Sequence, residues 1–224
     1  AKRKIFENFI FRFYKKKNIY KKIYKHNYWG SNESLSGPGS EIQVAENLIS
    51  KLPQIIKKYN IKSIFDAPCG DLNWISSLLK KNIIQNYLGA DIVDDLIKEN
   101  SKKNLSVNCS FKIFDITNEK FPDYDLWICR DILYHFNFED IFETLKNFIN
   151  SNIKYILVTN TIVEKLHVNK DILTGNYRDL SLYHAPFNFD EKPLERILDL
   201  KHEEYNEEMC LWTKDQIKKF LEKK

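Results

Sequence analysis

The sequence predicts an α/β fold in which helices cover both faces of a mostly parallel β-sheet, with a helical extension at the N-terminus. Two observations predict the sheet. From Ile61 onward short apolar runs alternate with helix-length amphipathic stretches, and an acid closes three runs in succession, at Asp66, Asp91 and Asp115. A third predicts the extension: residues 1–25 hold ten Lys/Arg against the single acid Glu7, interleaved with aromatic and aliphatic residues at helical spacing.

In chain order, residues 1–28 read as a basic amphipathic helix. It either packs its aromatic face on the domain or lies against an acidic partner or an anionic membrane surface. Residues 29–40, rich in Gly, Ser, Asn and Pro, are a loop. Residues 41–59 then place Ile42, Ala45, Leu48, Ile49, Leu52, Ile55 and Ile56 on one helical face, with Ser40 as N-cap and Pro53 expected to kink or divide the helix. Strands are expected at 63–67, 87–90, 111–114, 126–129 and 155–158, with helices at 74–79, 94–104 and 138–149 between them. A polar and aromatic excursion fills 160–189, and final strands are expected at 194–203 and 208–213. The domain is drawn over 29–215, and 216–224 is a lysine-rich helix end.

Composition narrows the function classes. With 224 residues, 43% hydrophobic and 14% aromatic, the chain suits one core and is short for two enzyme domains. The formal charge of +4 comes from the first 25 residues, so the body is mildly acidic and lacks the basic stripe that tracks nucleic acid. Cys69, Cys109, Cys129 and Cys210 show no metal-ligand spacing and read as reduced thiols, most of them buried. No apolar run has the length of a bilayer span and no signal-peptide pattern opens the chain, so a cytoplasmic enzyme is expected.

The chemistry concentrates at the first strand-to-helix turn, Asp66-Ala67-Pro68-Cys69-Gly70-Asp71. In an open α/β sheet this turn lies at the carboxyl edge, where ligands bind. Gly70 allows close approach of the backbone, whereas Asp66 and Asp71 put negative charge where a pyrophosphate loop would avoid it. The pair suits a cationic ligand such as the amino and sulfonium groups of S-adenosylmethionine. Asp91 closes the next strand at the spacing of a ribose-binding carboxylate, and Asp115, followed by Ile116, is poised for an adenine amino group and ring. Three acids in this periodic placement indicate an adenosyl-binding, Rossmann-like domain.

Together with Ser36-Gly37-Pro38-Gly39-Ser40, Asn73-Trp74, Asp91-Ile92-Val93 and Cys129-Arg130-Asp131-Ile132-Leu133-Tyr134-His135-Phe136, these motifs resemble a known family. It is the small bacterial class I S-adenosylmethionine-dependent methyltransferases associated with surface-polysaccharide or small-molecule modification. The resemblance covers roughly 29–212, with one departure: Pro68 stands where the wider class usually has glycine. It implies S-adenosylmethionine as cofactor, Gly70, Asp91 and Asp115 as its contacts, and Trp29 with Ser36 and Gly37 in a lid over the methionine end. Ile92, Asp66 and Arg130 complete the expected cofactor set. His135 is the candidate base, or else a structural histidine capping the next helix. Asp131, Tyr134, Arg178, Tyr183 and His184 are the candidate contacts to a small polar or anionic acceptor, although the excursion carrying the last three also reads as a loop packed by its own aromatics. Methyl transfer from a sulfonium needs no metal, and none is expected. A small amine acceptor and a non-catalytic, cofactor-binding scaffold are the alternatives.

Overall fold

The computed structural model describes residues 15–105, 108–189, 192–201 and 206–222. The first part of the basic extension and the ends of the expected strand at 194–203 and of the lysine-rich C-terminus lie outside the described residues. The strands are β1 (Ser63–Asp66), β2 (Asn86–Asp91), β3 (Cys109–Ile113), β4 (Leu126–Cys129), β5 (Tyr155–Ile162), β6 (Glu195–Lys201) and β7 (Asn206–Thr213). They form one sheet in the order β3-β2-β1-β4-β5-β7-β6. β1 to β5 pair in parallel, while β7 runs antiparallel to both β5 and β6. The order reverses beside β1, between β2 and β4, and so opens a crevice at the carboxyl ends of those strands.

Alternation along the strands divides the core in two. Phe65, Leu88, Trp127, Ile156 and Trp212 join one apolar cluster. Their strand neighbours Ile64, Tyr87, Leu126, Leu157 and Leu211 join the other. A buried parallel sheet needs apolar residues on both faces, which is why β4 is apolar and fully buried throughout. On the first face pack α1 (Lys16–Lys25), α5 (Phe138–Ile149) and α6 (Lys214–Glu222), through Ile19, Ile23, Ile141, Leu145, Ile217 and Phe220. On the second pack α2 (Glu46–Lys58) and α3 (Ser76–Lys80), through Leu48, Leu52, Ile55, Leu78 and Leu79. α4 (Asp94–Asn100) meets both, with Leu96 in one cluster and Ile97 in the other.

Local details depart from expectation. α2 runs unbroken through Pro53 and begins after a series of turns at 41–45, so Ser40 ends a short 3-10 helix instead of capping α2. The described parts of both terminal helices belong to the same core as the sheet, because Ile19, Tyr20, Ile23, Ile217 and Phe220 are all buried in it. Asp115 falls two residues beyond β3, in the turn that follows.

Candidate functional site

A cleft enclosing roughly 900 Å³, open mouth included, lies over the carboxyl ends of β1, β2 and β4. The turn after β1 forms its floor. Gly70 has φ +55°, and a Cβ there would come within 2.2 Å of Ser36 Oγ, so only glycine fits beneath the 31–40 loop. Asn100 Nδ2 fixes this turn by donating to the Gly70 carbonyl at 2.7 Å. The Ala67–Pro68 peptide is cis.

Asp91 is 7% exposed and faces the cleft. Its Oδ2 accepts the Gly70 amide at 3.3 Å and its Oδ1 the Val93 amide at 3.0 Å. Burial pushes the carboxyl up to about 6, against these amide hydrogen bonds. The carboxylate keeps acceptor capacity toward the cleft, which a ribose diol would use. Ile92, Asp115 and Ile116 continue the wall. The Asp115 carboxylate also closes its own turn, with Oδ1 accepting from Thr117 N and Oγ1 and Oδ2 from Asn118 Nδ2.

At the far end of the cleft stand Trp29, Ser36, Trp74, Arg130 and Asp131. Arg130 donates to Asp199 at 2.7 Å and to the Gly39 carbonyl at 2.6 Å, and pairs with Asp131 at 3.1 Å. Burial works against its charge, but Asp131 and Asp199 outweigh burial and raise its pKa. Asp131 adopts φ +57°, a left-handed conformation that Asp tolerates better than most residues, and its Oδ1 meets Thr159 Oγ1 at 3.1 Å. Gly39 leaves room for it, since a Cβ there would lie 2.7 Å from Asp131 Oδ2. These residues fit S-adenosylmethionine: a desolvated acid for the ribose, a second acid for the adenine, a side-chain-free floor, and Arg130 at the amino-acid end.

Of the cofactor residues expected from sequence, Asp66 and Gly37 stand off the cleft. Asp66 lies at the end of β1 on the same face as Ile64, toward α2 and α3, where its carboxylate accepts the Tyr87 hydroxyl at 2.6 Å and burial pushes it up to about 7. Gly37, at φ +100°, packs against Trp29, with a Cβ there 3.1 Å from Trp29 Cβ.

Of the catalytic and acceptor candidates, only Asp131 lines the cleft. His135 lies behind Trp29, its ring stacked on the indole with centroids 5.3 Å apart, and its Nδ1 bonds the Asn176 carbonyl at 2.7 Å. Burial lowers its pKa to about 4. Tyr134 is buried edge-on to His135 and Tyr177. Arg178 is buried, donating to the Phe136 carbonyl at 2.5 Å, while its Nε and Nη2 have no partner; burial lowers its pKa to about 10. Tyr183 contacts Cys210 Sγ at 3.7 Å beneath the Arg196 guanidinium. His184 is held by Ser181 Oγ at 2.8 Å and the Lys165 carbonyl at 3.2 Å, inside its own loop.

Sequence reasoning gave Asp71, with Asp66, to a cationic ligand, whereas Asp71 stands off the cleft lining, and it missed what two elements contribute. Asp71 clamps the 31–40 loop: its carboxylate accepts from Ser34 Oγ and Ser36 Oγ and from the Leu35 amide at 2.8 Å, and its amide donates to Ser36 Oγ at 2.8 Å. The second is α1, which sends Lys16, Tyr20 and Tyr24 into the cleft wall. Its helical apolar spacing announced burial, but not what the buried face adjoins.

No known family profile matches the chain, and no curated protein is recognisably similar to it. Solved structures are similar in fold. Magnesium protoporphyrin IX methyltransferase (ChlM) from Synechocystis PCC 6803 with bound SAM superposes over 89% of this chain and 97% of its own, with TM-score 0.61 and 12% identity. The methyltransferase domain of bacterial CtHen1-CN matches 75% of this chain and 98% of its own, with TM-score 0.53 and 13% identity. N-methyltransferase NodS from Bradyrhizobium japonicum WM9 matches 76% and 96%, with TM-score 0.52 and 8% identity. The fold is thus that of Rossmann-like methyltransferases.

Proposed function

We propose that the protein is an S-adenosylmethionine-dependent methyltransferase acting on a hydroxyl of a small polar or anionic acceptor, such as a sugar or phosphorylated compound of surface-polysaccharide synthesis. The observation that carries the cofactor reading is Asp91: a buried carboxylate at the end of β2, facing the cleft beside a turn that excludes any side chain at Gly70. The fold shared with methyltransferases supports it.

Bound S-adenosylmethionine supplies an electrophilic methyl on a sulfonium that leaves as a neutral thioether. An acceptor hydroxyl that received this methyl would have to give up its proton. The protein's contribution is alignment and exclusion of water. Trp29, backed by His135, and Ser36, clamped by Asp71, cover the methionine end. Asp131 is the carboxylate at that end, with its Oδ2 held by Arg130. In this reading Asp131 orients the acceptor hydroxyl and takes its proton, and His135 holds Trp29.

The test is calorimetric titration with S-adenosylhomocysteine, followed by a methyl-transfer screen against nucleotide-linked sugars, phosphorylated amines and phosphoramidates. Micromolar binding and turnover on one class are expected. Absence of binding would overturn the cofactor reading, and binding without turnover on any class would leave a scaffold.

A further inference from the structure

Among the described residues, Tyr20 combines features that its packing role does not explain. It is 6% exposed and lines the cleft from α1. Its hydroxyl is fully enclosed and has no hydrogen-bond partner. A buried hydroxyl without a partner is uncommon and has a cause. Phenylalanine would fill the same apolar slot beside Ile19, Ile23 and the edge of Phe136, whose ring centroid is 6.2 Å away.

The surroundings indicate what the hydroxyl is for. It lies in the field of three carboxylates, Asp140, Asp91 and Asp115, in that order of strength. Asp91 and Asp115 mark the ribose and adenine ends of the proposed site, and both offer only acceptors when ionised. An adenosyl group also presents acceptors of its own, in its ribose oxygens and purine nitrogens. Those need a donor, and the Tyr20 hydroxyl is an uncommitted donor on a residue that lines the same cleft as the two acids.

Its position is fixed from several sides. One turn earlier on α1, Lys16 Nζ donates to Thr117 Oγ1 at 2.5 Å and to Asp140 at 2.7 Å, tying the helix to the Asp115 turn and to α5. Lys21 bonds Asp94 and Asp95 at 3.0 Å each at the start of α4. The helix is thereby held across the cleft at the side of the sheet where Asp91 and Asp115 lie.

We infer that α1 forms the adenosyl wall of the cofactor site, with the Tyr20 hydroxyl donating a hydrogen bond to the adenosyl group. This inference rests on the cofactor reading above and extends the packed alternative for the basic helix, whose buried face also lines the cleft.

The experiment compares the full chain with its Tyr20→Phe variant, by calorimetry with S-adenosylhomocysteine and by thermal melting without ligand. The variant should bind about 5- to 10-fold more weakly, the loss expected for one neutral hydrogen bond. It should melt at the wild-type temperature or above, since an unpartnered buried hydroxyl has been removed. Wild-type binding with unchanged affinity in Tyr20→Phe would overturn this inference alone. Absence of binding by the wild type would overturn the cofactor reading and this inference with it. A variant that melts below the wild type would make the hydroxyl a structural group, which also overturns the inference.

Discussion

Trp29 and His135 stack with their rings inclined by 25°, and of the two only the indole faces the cleft. The imidazole is buried, joined through Nδ1 to the Asn176 carbonyl, and held neutral by burial. It supports a ring that lines the cleft and that we propose covers the methionine end. His135→Ala should therefore lower stability by about 1–3 kcal/mol through the lost packing and the stranded carbonyl, and weaken S-adenosylhomocysteine binding through a loosened Trp29. Melting curves and calorimetry check this. A variant with wild-type values in both would detach His135 from Trp29's function.

The Asp66–Tyr87 pair sets a pH dependence of stability. Burial raises the Asp66 carboxyl from its ordinary 3.8 to about 7. Between those values the folded state holds a proton that the unfolded state has lost, so this group's contribution to stability falls as pH rises through the window. Asp66→Asn keeps an oxygen for the Tyr87 hydroxyl and removes the titration. The variant should match the wild type near pH 4 and melt higher at pH 8, by about 5 °C or more. Parallel melting curves from pH 4 to 8 would refute the assignment. His135 contributes the opposite slope between about 4 and 6.5 in both proteins, so the difference between them isolates Asp66.

Asp71 holds the 31–40 loop through hydrogen bonds to Ser34, Leu35 and Ser36. Asp71→Ala removes all of the carboxylate's bonds at once and leaves those donors to find water. Amide exchange within 31–40 should accelerate by roughly tenfold or more, with the sheet strands unaffected. Affinity for S-adenosylhomocysteine should fall, because Ser36 no longer sits on Gly70. Unchanged protection at Leu35 would remove Asp71 as the clamp.

The strands, their mostly parallel order and the acids at their carboxyl ends were legible in the sequence because each depends on local periodicity. Place after a short apolar run put Asp91 and Asp115 on the cleft, but the same signal misplaced Asp66, whose side chain falls on the opposite face of β1 toward Tyr87. The acceptor candidates of the excursion were not legible, because composition does not say which way a loop turns its polar groups. Asn169 shows the difference: its amide nitrogen donates to the carbonyls of Ser181, His184 and Ala185, and its oxygen accepts the Ser181 amide. One buried Asn thus folds the loop on itself, His184 is spent on its interior, and Tyr183 packs on the sheet against Cys210. The place of α1 was hidden for a related reason. Tyr20 is far in sequence from Asp91 and Asp115, and only the tertiary packing of α1 makes them neighbours.

Asp131 and His135, four residues apart, have different surroundings, and their variants should fail differently. Asp131→Asn suits the left-handed backbone, since Asn adopts positive φ as readily as Asp, and its side-chain oxygen can still accept from Thr159 Oγ1. The fold and the affinity for S-adenosylhomocysteine should hold within about threefold. If the acceptor is a hydroxyl whose proton Asp131 takes, kcat should drop by about 10²-fold or more with KM little changed. If the acceptor is an amine held by its charge, KM should rise instead and kcat should hold. His135→Ala, assayed beside it, should lose cofactor affinity first. Steady-state kinetics on the acceptor found by the screen separate these cases. An Asp131→Asn enzyme with wild-type kcat and KM would take Asp131 out of the acceptor site and leave alignment of the two reactants as the whole of the protein's contribution.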